Sequence, residues 1–118
     1  MIQKIAIPVL VLALLAPLSA FQGPYSVGNG VTAPKVISRV QAVYTAEAKQ
    51  AKIQGTVTLK AVVDRNGIPR DVEVIKPLEP TLDRSAVEAV RQWTFEPGKK
   101  DGQAVDVIAA IEMNFRLN

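Results

Sequence analysis

The chain has 118 residues, 48% hydrophobic and 21% charged, with a formal net charge of +3 and neither cysteine nor histidine. That length and balance describe one small globular domain. The missing Cys and His exclude thiolate and imidazole metal sites, disulfides, and any catalytic triad that uses imidazole as its base.

Ile5 to Leu18 carry no polar side chain, Lys4 precedes them and Ser19-Ala20 follow. This is the order of a signal peptide: positive, apolar, small. A membrane-spanning helix needs about 20 apolar residues, and this shorter run is interrupted by Pro8 and Pro17. Residues 1–20 are therefore expected to be a cleaved leader, with an uncleaved anchor as the alternative. Beyond it, acids and bases alternate instead of clustering. Phosphate binding needs a concentrated basic face, so nucleic acid is not an expected partner.

Residues 21–33 are Gly-rich and aperiodic and read as a flexible linker before a domain spanning 34–118. Val36, Ile37 and Val40 suit a short strand or extended segment leading to Tyr44. Thr45 is placed to cap a short helix built from Ala46 to Lys52, ended by Ile53 and Gly55. Val57, Leu59, Ala61 and Val63 then alternate with Thr58, Lys60 and Asp64 as a half-buried strand. Arg65-Asn66-Gly67 reads as a tight hairpin turn, with Asn-Gly supplying positive φ. Val72 and Val74 continue the buried face, and Pro69, lacking an N–H, favours a strand end or sheet edge.

Pro77 and Pro80 bracket a loop. Thr81-Leu82-Asp83 then open a second helix with Thr81 as its cap, and Leu82, Ala86, Ala89, Val90 and Trp93 form one apolar stripe. After Pro97-Gly98 and a turn at Asp101-Gly102, alternation runs from Val105 to Leu117. So long a terminal strand either outruns its partner or lies at a sheet edge, where its backbone is open to pairing with a peptide or a second copy of the chain. The order of elements gives an α+β domain, an antiparallel sheet with two helices on one face.

No chemistry emerges from this pattern. Asp64, Asp71, Asp83, Asp101 and Asp106 fall at turns, a helix start or outer strand faces, where acids ordinarily sit. The loop beginning at Asp64 lacks the downstream Glu of a calcium loop, and Ile75 stands at that position. No phosphate-binding glycine pattern and no Ser-x-x-Lys occur. No catalytic residue, metal ligand or cofactor is assigned, and Trp93 reads as a core anchor. Tyr44 is read equally as a staple beneath the first helix and as a contact for an added peptide.

Tyr44-x-x-Glu47-Ala48, Ile53-x-Gly55-x-Val57, Val63-Asp64-x-x-Gly67, Leu82-Asp83-x-x-Ala86-Val87-x-Ala89-Val90-x-x-Trp93-x-Phe95-x-Pro97-Gly98 and Asn114-Phe115 together resemble the TonB C-terminal domain family over Lys35 to Asn118. The resemblance implies a three-stranded antiparallel sheet with two helices. It also implies a non-enzymatic, periplasmic domain that binds short segments of TonB-dependent outer-membrane transporters and passes on energy from inner-membrane motor proteins. In that family the captured segment pairs with the last strand, here Val107 to Phe115, so Val107, Ala109, Ile111, Met113 and Phe115 are expected at the partner site. The segment before the Tyr falls on Gln41, Ala42 and Val43, which adds Gln41, Val43 and Tyr44. The family's Pro after the Tyr is Thr45 here, and its functional His has no counterpart. Two alternatives accompany this reading: a minimal membrane-anchored energy transducer, and a periplasmic assembly protein that self-pairs through the terminal strand.

Overall fold

A computed structural model describes residues 23–118; the leader lies outside the described residues. The elements are β1 (Lys35–Ser38), α1 (Ala46–Gln50), β2 (Gly55–Val63), β3 (Pro69–Lys76), α2 (Pro80–Val90), β4 (Thr94–Glu96), β5 (Lys99–Lys100), β6 (Gln103–Ala104) and β7 (Val107–Phe115). The main sheet has the order β3-β2-β7, antiparallel throughout. Two small two-stranded sheets, β1-β4 and β5-β6, flank it. The α+β architecture with a three-stranded sheet and two helices is thus the one expected.

The alternation read in β2 is the buried face of the sheet. Val57, Leu59, Ala61 and Val63 are fully buried and lie opposite Met113, Ile111, Ala109 and Val107 of β7. Leu82, Ala86, Ala89 and Val90 of α2 close over this face, joined by Ala48 of α1 and by Trp93 and Phe95. Trp93 lies beyond the end of α2, in the turn where its N–H donates to the Val90 C=O at 3.0 Å. Apolar burial at roughly 25 cal/mol per Å² makes this layer the main source of stability.

Several local details differ from the expectation. The cap of α2 is Glu79, whose carboxylate accepts from the Leu82 N–H at 2.9 Å, and not Thr81. Pro80 occupies the first helical position, where its missing N–H has no consequence, so Thr81 is already inside the helix and donates its hydroxyl to Glu79 at 2.7 Å. Thr45 does cap α1, accepting from the Ala48 N–H at 3.3 Å. The left-handed residue that ends α1 is Lys52, at φ 56°. In the β2–β3 turn only Gly67 has positive φ (82°). The Asp64 carboxylate accepts from the Asn66 and Ile68 N–H groups, which lengthens the turn and leaves Asn66 in an ordinary conformation.

The strands β4, β5 and β6 are only two or three residues long, which is too little periodicity to read from sequence. β4 matters most. The Phe95 N–H donates to the Gly67 C=O at 2.9 Å and so ties the hairpin tip to β4.

Candidate functional site

The two edges of the main sheet are unlike. β3 carries two extra residues relative to β2, taken up as bulges between Thr58 and Leu59 and between Lys60 and Val62, and Asp71 in the second sits at φ 52°. Bulges and a leading proline blunt a strand edge against further pairing. β7 pairs with β2 over nine consecutive residues without a break, Gly55 with Phe115 through Val63 with Val107. Its outer edge is therefore straight, and its backbone groups are evenly presented.

Register decides which groups those are. In an antiparallel ladder a residue directs both its N–H and its C=O to the same neighbour, and successive residues alternate between neighbours. The Ile108 N–H donates away from β2, to the Tyr25 C=O at 2.8 Å. The outward series is thus Ile108, Ala110, Glu112 and Asn114. Val107, Ala109, Ile111, Met113 and Phe115, the β7 residues expected at the partner site, turn their backbone groups toward β2 and their side chains toward the core. Of these five, only Ala109 is more than marginally exposed.

Between the C-terminal half of β7 and the segment 39–44 runs a groove of about 570 Å³, lined by Arg39, Val40, Gln41, Ala42, Tyr44, Trp93 and residues 112–116. It brings Gln41 and Tyr44 together with Met113 and Phe115. Val43 lies outside it: the residue is 70% exposed, and its C=O accepts from the Ser85 hydroxyl of α2 at 2.5 Å. Val107 and Ala109 also lie away from the groove, toward the start of the strand.

Each wall is fixed by contacts that sequence reading missed. The Trp93 indole N–H donates to the Val40 C=O at 2.8 Å, pinning the 39–44 segment, and the Arg39 guanidinium stacks over the same ring at 5.3 Å. The Tyr44 hydroxyl donates to the Ile53 C=O, and its ring meets Phe115 edge to face at 5.4 Å. Tyr44 thereby acts as a staple and at the same time forms part of the groove. Trp93 was legible as apolar; its partner 53 residues earlier was not. Arg39 and Arg116 put positive charge at the groove, and among the described residues Glu112 of β7 is the one acidic residue that lines it. Thr56 donates to the Asn114 side-chain oxygen at 2.6 Å across the β2–β7 pair.

Among the described residues no helix is long and apolar enough to cross a membrane.

The profile of the family described as Gram-negative bacterial TonB protein C-terminal matches residues 40–117. The chain is 36% identical over 76 residues to protein tonB2 of Pseudomonas aeruginosa, a match covering 64% of this chain and 28% of that protein. It is 33% identical over 103 residues to protein TonB of Vibrio cholerae, covering 86% and 42%, and 34% identical over 89 residues to protein TonB of Escherichia coli, covering 73% and 36%. The chain thus spans between about a quarter and two-fifths of the length of these relatives. The solution structure of the Pseudomonas aeruginosa TonB C-terminal domain superposes with a TM-score of 0.60 at 23% identity, covering 79% of this chain and 93% of that one, which is agreement in fold. With two-thirds of its length inside the family profile, this chain belongs to the TonB C-terminal domain family.

Proposed function

We propose that the domain is a periplasmic recognition module, without catalytic activity, that captures an extended segment of a TonB-dependent outer-membrane transporter by adding it as a fourth strand beside β7. The observation that carries this reading is the asymmetry of the sheet: one edge bulged twice, the other unbroken over nine residues and bordered by a groove. Main-chain bonds to Ala110, Glu112 and Asn114 supply affinity in such a mode, and the groove receives side chains of the added strand. Arg39 and Arg116 favour an acidic residue there. Coupling to inner-membrane motor proteins belongs to the same reading and requires a tether outside the described residues.

The test is titration of the isotopically labelled protein with peptides from the periplasm-facing plug segments of such transporters. The expected result is amide shifts at Ala110, Glu112 and Asn114 together with the Trp93 indole. Ala110→Pro removes one outward N–H and leaves the β2 ladder intact, so it is expected to abolish those shifts without unfolding the domain. Shifts confined to β3, or none, overturn the reading. Concentration-dependent shifts at the same amides without peptide would instead assign the edge to a second copy of the chain.

A further inference from the structure

Ahead of β1, residues 25–32 lie along the start of the same edge. The Tyr25 N–H donates to the Asp106 C=O at 2.9 Å, and its C=O accepts from the Ile108 N–H at 2.8 Å, a parallel bridge to Val107 on the side away from β2. Gly28 and Val31 then exchange both backbone bonds, at 2.9 and 3.0 Å, and Val31 is buried where it bridges Lys100. The Thr32 N–H donates to the Lys99 C=O at 2.9 Å, and the Lys99 N–H returns a bond to the Thr32 hydroxyl at 2.9 Å. The Lys100 ammonium stands 4.6 Å from the centre of the Tyr25 ring. Asp106 is held from its side chain as well, accepting from the Arg70 guanidinium at 2.8 Å and from the Arg65 N–H at 3.0 Å. A segment whose composition reads as linker is thus hydrogen-bonded to the domain at both of its ends.

We propose that this strap is a stop that bounds the acceptor edge, restricting an added strand to the stretch Ala110 to Asn114. The inference rests on the strand-addition reading above. An added strand running in either direction can draw on the six outward N–H and C=O groups of Ala110, Glu112 and Asn114, which takes about five partner residues. Further pairing toward the start of β7 needs the Ile108 N–H, which Tyr25 holds. Displacing Tyr25 breaks two backbone bonds to form two, and it also uncovers Val31 and separates Lys100 from the Tyr25 ring. Extra partner residues at that end therefore add no net interaction. The strap therefore limits length at the end of the added strand that lies toward Ile108, its N-terminal end in a parallel pairing and its C-terminal end in an antiparallel one.

The experiment compares a plug-segment peptide with the same peptide lengthened by four residues at the end that lies toward Ile108, identified with a spin label placed at each peptide terminus in turn, on the full chain. Lengthening is expected to change the Kd of the unaltered protein less than twofold and to leave the Ile108 amide unshifted. In Tyr25→Gly/Val31→Asp, which releases the strap without touching the main core cluster, the longer peptide is expected to bind at least fivefold tighter and to shift Ile108. Tyr25→Pro, which removes the N–H given to Asp106 and the ring beside Lys100 but leaves Val31 in place, serves as the milder variant should the double one fail to fold. Without peptide, the Ile108 amide is expected to exchange with solvent more slowly than Ala110, Glu112 and Asn114, and to join them in the released variants. Tighter binding of the long peptide to the unaltered protein, no gain in the released variants, or fast exchange at Ile108 overturns the stop while leaving strand addition standing. If neither peptide moves any β7 amide in any of these proteins, strand addition fails and the stop falls with it.

Discussion

Gly67→Ala tests how the hairpin tip is tied to the rest of the fold. Gly67 sits at φ 82°, and a Cβ built on it falls 1.9 Å from the Phe95 carbonyl oxygen and 3.0 Å from its carbon. The left-handed conformation costs an L-residue roughly 1–2 kcal/mol. The clash must also be relieved by a backbone shift of about 1 Å, given normal carbon–oxygen contact distances. That shift breaks the 2.9 Å bond from the Phe95 N–H to the Gly67 C=O, and a stranded polar group costs about 1–3 kcal/mol more. Together these give a loss of about 3–4 kcal/mol, a large part of the ~5–15 kcal/mol stability of a small domain. Gly102→Ala is the control, because Gly102 has nearly the same φ, 85°, with nothing within 4 Å of its would-be Cβ. It is expected to lose only the conformational ~1–2 kcal/mol. Urea unfolding followed by far-UV circular dichroism reads both, with a midpoint shift of about 2 M expected for Gly67→Ala at a typical slope. Equal losses for the two variants would refute the steric part of the reasoning.

Trp93→Phe removes the donor to Val40 and is expected to cost about 2 kcal/mol in denaturant unfolding; it should also broaden or shift the amide signals of residues 39–42 more than those of β3. Tyr44→Phe keeps the ring against Phe115 but loses the bond to the Ile53 C=O, for an expected cost of about 1 kcal/mol by thermal melting, with peptide affinity changed less than by Ala110→Pro. The Glu79 carboxyl is held below its ordinary value of 4.5, first by the Thr81 hydroxyl and then, against some desolvation, by the Leu82 N–H. A depressed folded-state value means that its contribution is complete above pH 4.5 and is lost as pH falls through the lower folded value. The stability difference between the unaltered protein and Glu79→Gln should therefore be constant at neutral pH and shrink on acidification. A difference that grows below pH 4.5 would contradict the cap.

The stripe of α2 and the alternation in β2 could be read directly because each is a long element with one apolar side, and residue order alone fixes which side chains share a face. The family resemblance was legible for a related reason: Tyr44, Gly67, Trp93 and Phe95 are distinctive residue types, and the spacing between them is read directly along the chain. Gly67 illustrates the limit. Its position in a turn was evident from Asn66-Gly67, but the carbonyl of Phe95 that makes glycine obligatory comes from a strand too short to leave a pattern. Thr81 was read as a cap because it precedes an apolar run. Glu79 takes that role because Pro80 starts the helix two residues earlier than a cap at Thr81 would.

The candidate site divides along the same line. The sequence by itself determined that the terminal strand is amphipathic and that one face of it is buried, because alternation and composition are local properties. Only the tertiary structure decided which strand stands beside it, and hence that Ala110, Glu112 and Asn114 present their backbone outward while Val107, Ala109, Ile111, Met113 and Phe115 face β2. Pairing is a relation between segments about 50 residues apart, and a shift of one residue would exchange the two sets. The same holds for the strap. Nothing in the composition of residues 23–33 distinguishes a linker from a segment laid along a strand, since its bonds to Asp106, Ile108 and Lys99 are almost all made by the backbone, which every sequence shares.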